Sequence, residues 1–482
     1  MSGLRFALLA AAASLAATAW AQQPQPALRT APPSPAEAAA ARGDTADDAG
    51  KYAEAERDYD EALKLAPGNA QYLASRGDAR RGQGRWADAL ADFDAAIAAD
   101  AREAWFYTGR ARAFVGQGDN AKAKADYDHA LTLDPKNPNA YYFRAQLLDG
   151  EDDEAAALAD INRAIELEPQ DAADVEERGD IEAAMQRYDA AIKDYDMALT
   201  FEPKNYYALN GRGWVRFQQK NWPAAGEYYD EALKAYPKDA ALHAWRGKTW
   251  VALGEAARAR GEFDAAVRLD PKNLTALRAR ADWESDQKAG ASAVADYAAV
   301  TRLAPNDAGA WRDLGGAYAD NGDDKRALGA YGAGLKLAAD DVDLLVRHGL
   351  ANWRLSQYDA AIADYDKALA HEPKTAAALY DRALVLAEQD HDDRAIRDLD
   401  AALAIDPKYE PTIEERGEVY LGLDDYLRAA SDLTEALALK PDDAAALRKR
   451  AEAWRKLGDA AQAAADDAAA DKLDQPRKRS AS

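Results

Sequence analysis

Small and aromatic residues return along this chain at a constant interval of 34 residues. Residues 206–239 serve as the reference stretch. The Gly213 position holds only Gly or Ala in all thirteen such stretches, and the Ala225 position is Ala in all thirteen. The Ala232 position is Ala in eleven, with Val300 and Gly334 as exceptions, and the Tyr229 position is aromatic in nine. Prolines at 67, 135, 169, 203, 237, 271, 305, 373, 407 and 441 keep the same interval or twice it, and Ala101 and Ala339 fill the skipped places. Small side chains let two helix backbones approach closely. An aromatic fills the seam to the next stretch, and a proline cannot continue a helix. The pattern therefore predicts two antiparallel helices per stretch, in thirteen units from 36–69 to 444–477 without insertion or deletion. One unit buries too little to fold alone, so neighbours must stack.

These residues resemble the tetratricopeptide repeat, a helix–turn–helix with small residues at three packing positions and a proline after the second helix. The resemblance covers residues 36–477. It implies an all-α solenoid, a right-handed superhelix whose concave groove is lined by the first helix of each unit, and a role in protein interaction. The chain departs from the family where an aromatic is often found: the Leu209 position is mostly Leu, Val or Ile.

Polar residues follow the same interval. Arg occupies the Arg212 position in eleven units and Asp the Tyr228 position in ten; in the ninth unit both are lost together, to Leu314 and Ala330. This predicts a ladder of ion pairs between first and second helices. The repeated Asp-x-Asp pairs, such as Asp58/Asp60 and Asp364/Asp366, read as solvated helix faces. The ninth unit, 308–341, also holds seven glycines, at 309, 315, 316, 322, 329, 332 and 334. Glycine inside a helix costs about 1 kcal/mol relative to Ala, so this unit is expected to be a soft joint. In the last unit Asp467 stands where interior units place an apolar residue, which marks a solvating cap.

The two ends differ from the array. Arg5, the apolar run Phe6–Ala17 and the Ala19-Trp20-Ala21 site predict a signal peptide over 1–21, cleaved after Ala21, and a periplasmic or secreted protein. Residues 22–35 carry five prolines and read as an extended linker. Ser34, Pro35 and Glu37 then predict a capping box at the first helix. The tail, 478–482, ends a short basic stretch. The net charge of −24 argues against nucleic acid and favours basic partners. Cysteine is absent, so no disulfide or thiolate metal site is expected.

Candidate chemistry is thin. Gly247-Lys248-Thr249 looks like the end of a phosphate loop, but Leu242 replaces the earlier glycine. The five histidines show no metal-ligand spacing. Asp320-Asn321-Gly322-Asp323-Asp324 reads as an inter-helix turn, not a calcium loop. No catalytic constellation, metal or cofactor is expected.

Carried over from the family's concave positions, the resemblance implies a partner-binding groove at Glu176, Asp180, Tyr207, Asn210, Trp214, Phe217 and Lys248. Further groove aromatics fall at Trp105, Tyr142, Trp353 and Tyr380. Exposed aromatics with a few polar neighbours are common interface anchors. The competing reading is that they fill gaps between neighbouring first helices. Glu-Glu-Arg-Gly occurs at 176–179 and again at 414–417, which raises the prospect of two acidic groove patches. The expected function is a binding scaffold of the bacterial envelope; a structural adaptor or spacer is the alternative.

Overall fold

The computed structural model describes residues 33–474. The predicted signal peptide and basic tail lie outside the described residues, as does the linker up to residue 32. Among the described residues there are 26 α-helices and no strands. The protein is an all-α solenoid of successive helical hairpins. Helices are numbered here from α1 (Pro35–Asp48) to α26 (Ala460–Asp474). The chain divides into two compact units that meet between Ala259 and Arg260, within α14 (Ala256–Leu269), not within the glycine-rich stretch 308–341.

Many helix starts have a local cause. Ser34 accepts from the Glu37 amide while Glu37 accepts from the Ser34 amide, completing the expected capping box. Asn69, Asn137, Asn205 and Asn273, four residues on the same repeat interval, each accept a backbone N–H at the start of a first helix. The turn from first to second helix carries a regularity that the sequence hid. One residue with positive φ stands at 50, 84, 118, 152, 186, 220, 254, 288, 322, 356, 390, 424 and 458. Six of these are Gly; the others are Asp152, Gln186, Lys220, Lys288, Ser356, Asp390 and Asp424. The Asp320–Asp324 segment is one such turn, as expected, with Gly322 at φ 74° and Asp323 capping the next helix.

The core is thin and repeats with the chain. A Cβ built at Gly213 would lie 2.6 Å from the Tyr229 ring, and one at Gly179 would lie 2.7 Å from Tyr195. Each aromatic is thus seated on the small residue of its own first helix. Tyr195 also covers Gly211 of the next unit, at 2.6 Å, which is how one ring joins two units. In the ninth unit Gly315 and Gly334 do the same work against Tyr331 and Leu344, whereas Gly329 faces open space.

The charge ladder is present and extends further than the sequence suggested. Arg76 donates two hydrogen bonds to Asp92 of its own unit, at 3.0 and 2.6 Å, and a third to Asp60 of the preceding unit, at 2.6 Å. Arg110, Arg144, Arg382 and Arg416 repeat this double grip. The Asp-x-Asp pairs are therefore not merely solvated faces. The first Asp answers its own unit's arginine and the second answers the next unit's. Asp58 pairs with Arg42 and Asp60 with Arg76; Asp364 pairs with His348 and Asp366 with Arg382.

Candidate functional site

Three first helices carry the proposed groove residues: α9 (Ala172–Ala184), α11 (Tyr206–Gln218) and α13 (Ala240–Ala252). Positions three, four and seven residues apart share a helix face. On α9 this places Asp174, Glu177 and Glu176, Asp180 together. On α11 it aligns Tyr207, Asn210, Trp214 and Phe217.

The α9 residues form an acidic pole. Glu176 is only 6% exposed and Asp174 only 5%. Glu176 and Asp180 stand one helical turn apart on α9. Asp180 accepts from the Tyr195 hydroxyl at 2.6 Å, and Glu177 accepts from Gln146 at 2.9 Å. Burial pushes the Glu176 carboxyl well above its ordinary range, and Asp180 and Glu177 push it further. Burial, then Asp180, raise Glu177 to about 8. Burial, then Asp171, raise Asp174 to about 8. Asp180 is raised by burial to about 6.

The α11 and α13 residues form an aromatic pole. Tyr207 sets its ring edge-on to Tyr206, with centroids 5.4 Å apart, and lies close enough to Glu176 and Asp180 to feel their charge. Trp214 is half-buried against the core group that includes Val175, Ala183 and Val215. Phe217 is half-buried between Trp222 and Trp245, at 4.8 and 5.6 Å. The Lys248 ammonium sits 5.0 Å above the Trp245 ring. The Asn210 carbonyl oxygen is buried without a hydrogen-bond partner among the described residues.

The structure thus brings Glu176, Asp180 and Tyr207 together, and places Phe217 and Lys248 around Trp245. It corrects one expectation: Phe217 and Trp214 are not freely exposed anchors, because each fills a gap between neighbouring helices. Trp105 is likewise half-buried against the core group that includes Ala74 and Phe93, and Trp353 against the one that includes Leu345 and Tyr365. Glu177 entered only through the Glu-Glu-Arg-Gly run, and Asp174 was missed. Both stand on the α9 face already marked by Glu176 and Asp180, so helical spacing could have placed them. Trp222 and Trp245 were also missed, because α12 (Trp222–Ala235) and α13 were judged on other positions.

The second Glu-Glu-Arg-Gly run differs in surroundings. Glu414 accepts from Lys449 at 3.0 Å, whereas none of the groups bearing most on Glu176 is a cation. Glu410, Glu414 and Asp443 bring carboxylate oxygens within 4.8 Å of one another. Lys449 on Glu414 and Lys440 on Asp443, at 2.6 Å, already offset that charge.

No curated protein matches the chain in sequence. Solved structures that resemble it include the APC/C hetero-tetramer Cut9-Hcn1, at 16% identity over 87% of this chain and 96% of that one, with a TM-score of 0.43. Yeast Tom70 matches at 15% identity over 77% and 92%, with a TM-score of 0.41. MamA matches at 22% identity over 33% and 94%, with a TM-score of 0.32. Residues 216–350 also match the model of the bacterial transcriptional activator domain. The tetratricopeptide repeat model matches residues 40–104, 74–113, 108–172, 176–240, 346–410 and 415–477. With more than half of its 482 residues matched, and with small residues seating aromatics in hairpin after hairpin, the chain belongs to the tetratricopeptide repeat family.

Proposed function

We propose that this protein is a protein-interaction scaffold of the bacterial envelope that holds an extended or helical segment of a partner against the faces of α9, α11 and α13. The observation that carries the reading is the adjoining acidic and aromatic poles at Glu176, Asp180, Tyr207 and Trp214. Aromatic side chains supply contact area, and carboxyls select basic groups. A net charge of −24 steers basic partners toward the chain. Repeat scaffolds of this kind usually bind rather than catalyse, and the partly exposed Asp180, Tyr207, Trp214, Phe217 and Lys248 serve here as contacts, with Glu176 and Asn210 behind them.

Export to the envelope rests on Arg5, the run Phe6–Ala17 and Ala19-Trp20-Ala21. Cell fractionation with N-terminal sequencing tests it: a mature chain starting at Gln22 in the periplasm is expected, and an uncleaved cytoplasmic chain would overturn it.

A photo-crosslinking amino acid at Lys248 tests the binding face, with Lys234, exposed on a second helix, as the control position. A partner captured from position 248 but not from 234, and lost on Trp214→Ala in a chain that keeps its helical spectrum, supports the face. Equal capture from both positions would place binding elsewhere, as in a spacer that works through its ends.

A further inference from the structure

The acidic pole has a property that partner binding does not require. Two carboxyls can hydrogen-bond to each other only while one of them keeps a proton, because an ionised carboxylate is an acceptor alone. Glu176 is almost wholly buried one helical turn from Asp180, and among the described residues no ion pair reaches either carboxyl, a setting in which two carboxyls hold a proton rather than ionise together. None of the groups bearing most on Glu176, Glu177 and Asp180 is a cation. The facing helix α7 (Pro138–Gly150) contributes Tyr142, Gln146 and Asp149. Glu168 and Asp171 lie before α9, and Asp174 and Glu177 lie on it. The second helix α10 (Tyr188–Phe201) contributes Tyr195, Glu202 follows it, and α11 contributes Tyr207. The one arginine of α9, Arg178, is turned to Asp194 and Asn162.

The repeat supplies its own control. Asp78 occupies in the second unit the place that Asp180 holds in the fifth. Burial pushes the Asp78 carboxyl up, but Arg81, 2.6 Å away, and Arg112 outweigh burial and hold it below its ordinary value. Gln146 stands 34 residues after Arg112, so where one unit offers a guanidinium to its acidic neighbours, the next offers only an amide.

We propose that α9 is a proton-operated joint in the array: while Glu176, Glu177 and Asp180 share protons, α9 stays closely packed between α7 and α11, and release of those protons drives it away from them. The sign follows from linkage. These carboxyls titrate higher in the folded chain than in the unfolded one, where they ionise near about pH 4. The stability they confer is complete below that value. It is lost as pH rises toward about 8, where Glu177 and Asp174 ionise in the fold. The inference does not depend on the face having an occupant.

Hydrogen exchange of the full chain at about pH 5 and pH 8, corrected for the intrinsic rate, tests it. Protection of 172–184 is expected to fall about tenfold or more between the two, one pKa unit being a factor of ten, while 240–252 stays level. The double variant Glu176→Gln with Glu177→Gln is expected to remove most of that fall. Gln146→Arg, which restores the missing guanidinium, is expected to do the same. Should the double variant not fold, Gln146→Arg decides alone. Equal protection of 172–184 at both pH values, or a fall that survives Gln146→Arg, would overturn the joint.

Discussion

Trp214 stands one repeat after Asp180, and in doing so it removes the acceptor that Tyr229 would otherwise have. Tyr59, Tyr195 and Tyr297 each donate to an Asp fifteen residues earlier, at 2.8, 2.6 and 2.6 Å. Where that place holds Trp214 or Leu350, the hydroxyls of Tyr229 and Tyr365 are buried without a partner among the described residues.

A buried hydroxyl that is bonded stabilises, and one that is orphaned does not. Tyr195→Phe is expected to cost about 1–2 kcal/mol at neutral pH, and Tyr229→Phe to be neutral or slightly stabilising. Thermal melts of the two variants side by side check this. An equal loss from both would mean that the ring, not the hydroxyl, carries the effect.

Arg76→Ala is expected to destabilise its unit by about 1–2 kcal/mol, since Asp92, which is only 4% exposed, then keeps only Arg80 of its two arginines. Arg102→Ala, at an 86% exposed side chain, is expected to leave the melt unchanged. Exchange rates of residues 70–99 measured for both variants separate the two effects.

Non-glycine residues with positive φ are strained by roughly 1 kcal/mol. Lys220→Gly and Ser356→Gly, at φ 58° and 59°, are therefore expected to stabilise by up to about 1 kcal/mol. A lower midpoint in a denaturant titration would contradict the strain.

The glycines of 308–341 divide into two kinds. Gly329→Ala meets open space and is expected to gain up to about 1 kcal/mol from helix propensity. Gly315→Ala would set a Cβ 2.4 Å from the Tyr331 ring and is expected to lose stability. Hydrogen exchange over 308–341 decides whether the stretch is a joint. Fast exchange confined to that span supports one, and protection equal to the flanking helices rules it out.

Much of the fold could be read from the chain because its packing depends on residue size. Gly213, Ala225 and Ala232 have to be small, and Tyr229 has to be large, for two helices to close and a third to follow. The Arg–Asp ladder was readable for a similar reason, since both partners keep their identity. The turn positions were not readable: Lys220, Gln186 and Asp152 adopt the conformation of Gly118 without resembling it. The second arm of each arginine stayed hidden because Asp60 belongs to the neighbour of the unit it serves. On the candidate face, charge was visible at Glu176 and Asp180, but not the burial that changes their chemistry. Whether Trp214 meets solvent or a neighbouring helix depends on curvature that no single unit encodes.

The arginine grip has a consequence for the history of the gene. Arg76 finds its two aspartates sixteen residues ahead and sixteen behind, so the pairing is indifferent to which copy lies on either side. Unequal crossing-over between any two copies, cut at the same place in each, would yield a longer or shorter chain in which every such arginine still had both partners. Crossovers that carry a departure such as Tyr228, Ala298, Leu314 or Ala330 into the seam are exceptions, and these would leave a visible scar in the ladder. An array held together this way can change its length in single genetic events without first passing through an unfolded intermediate.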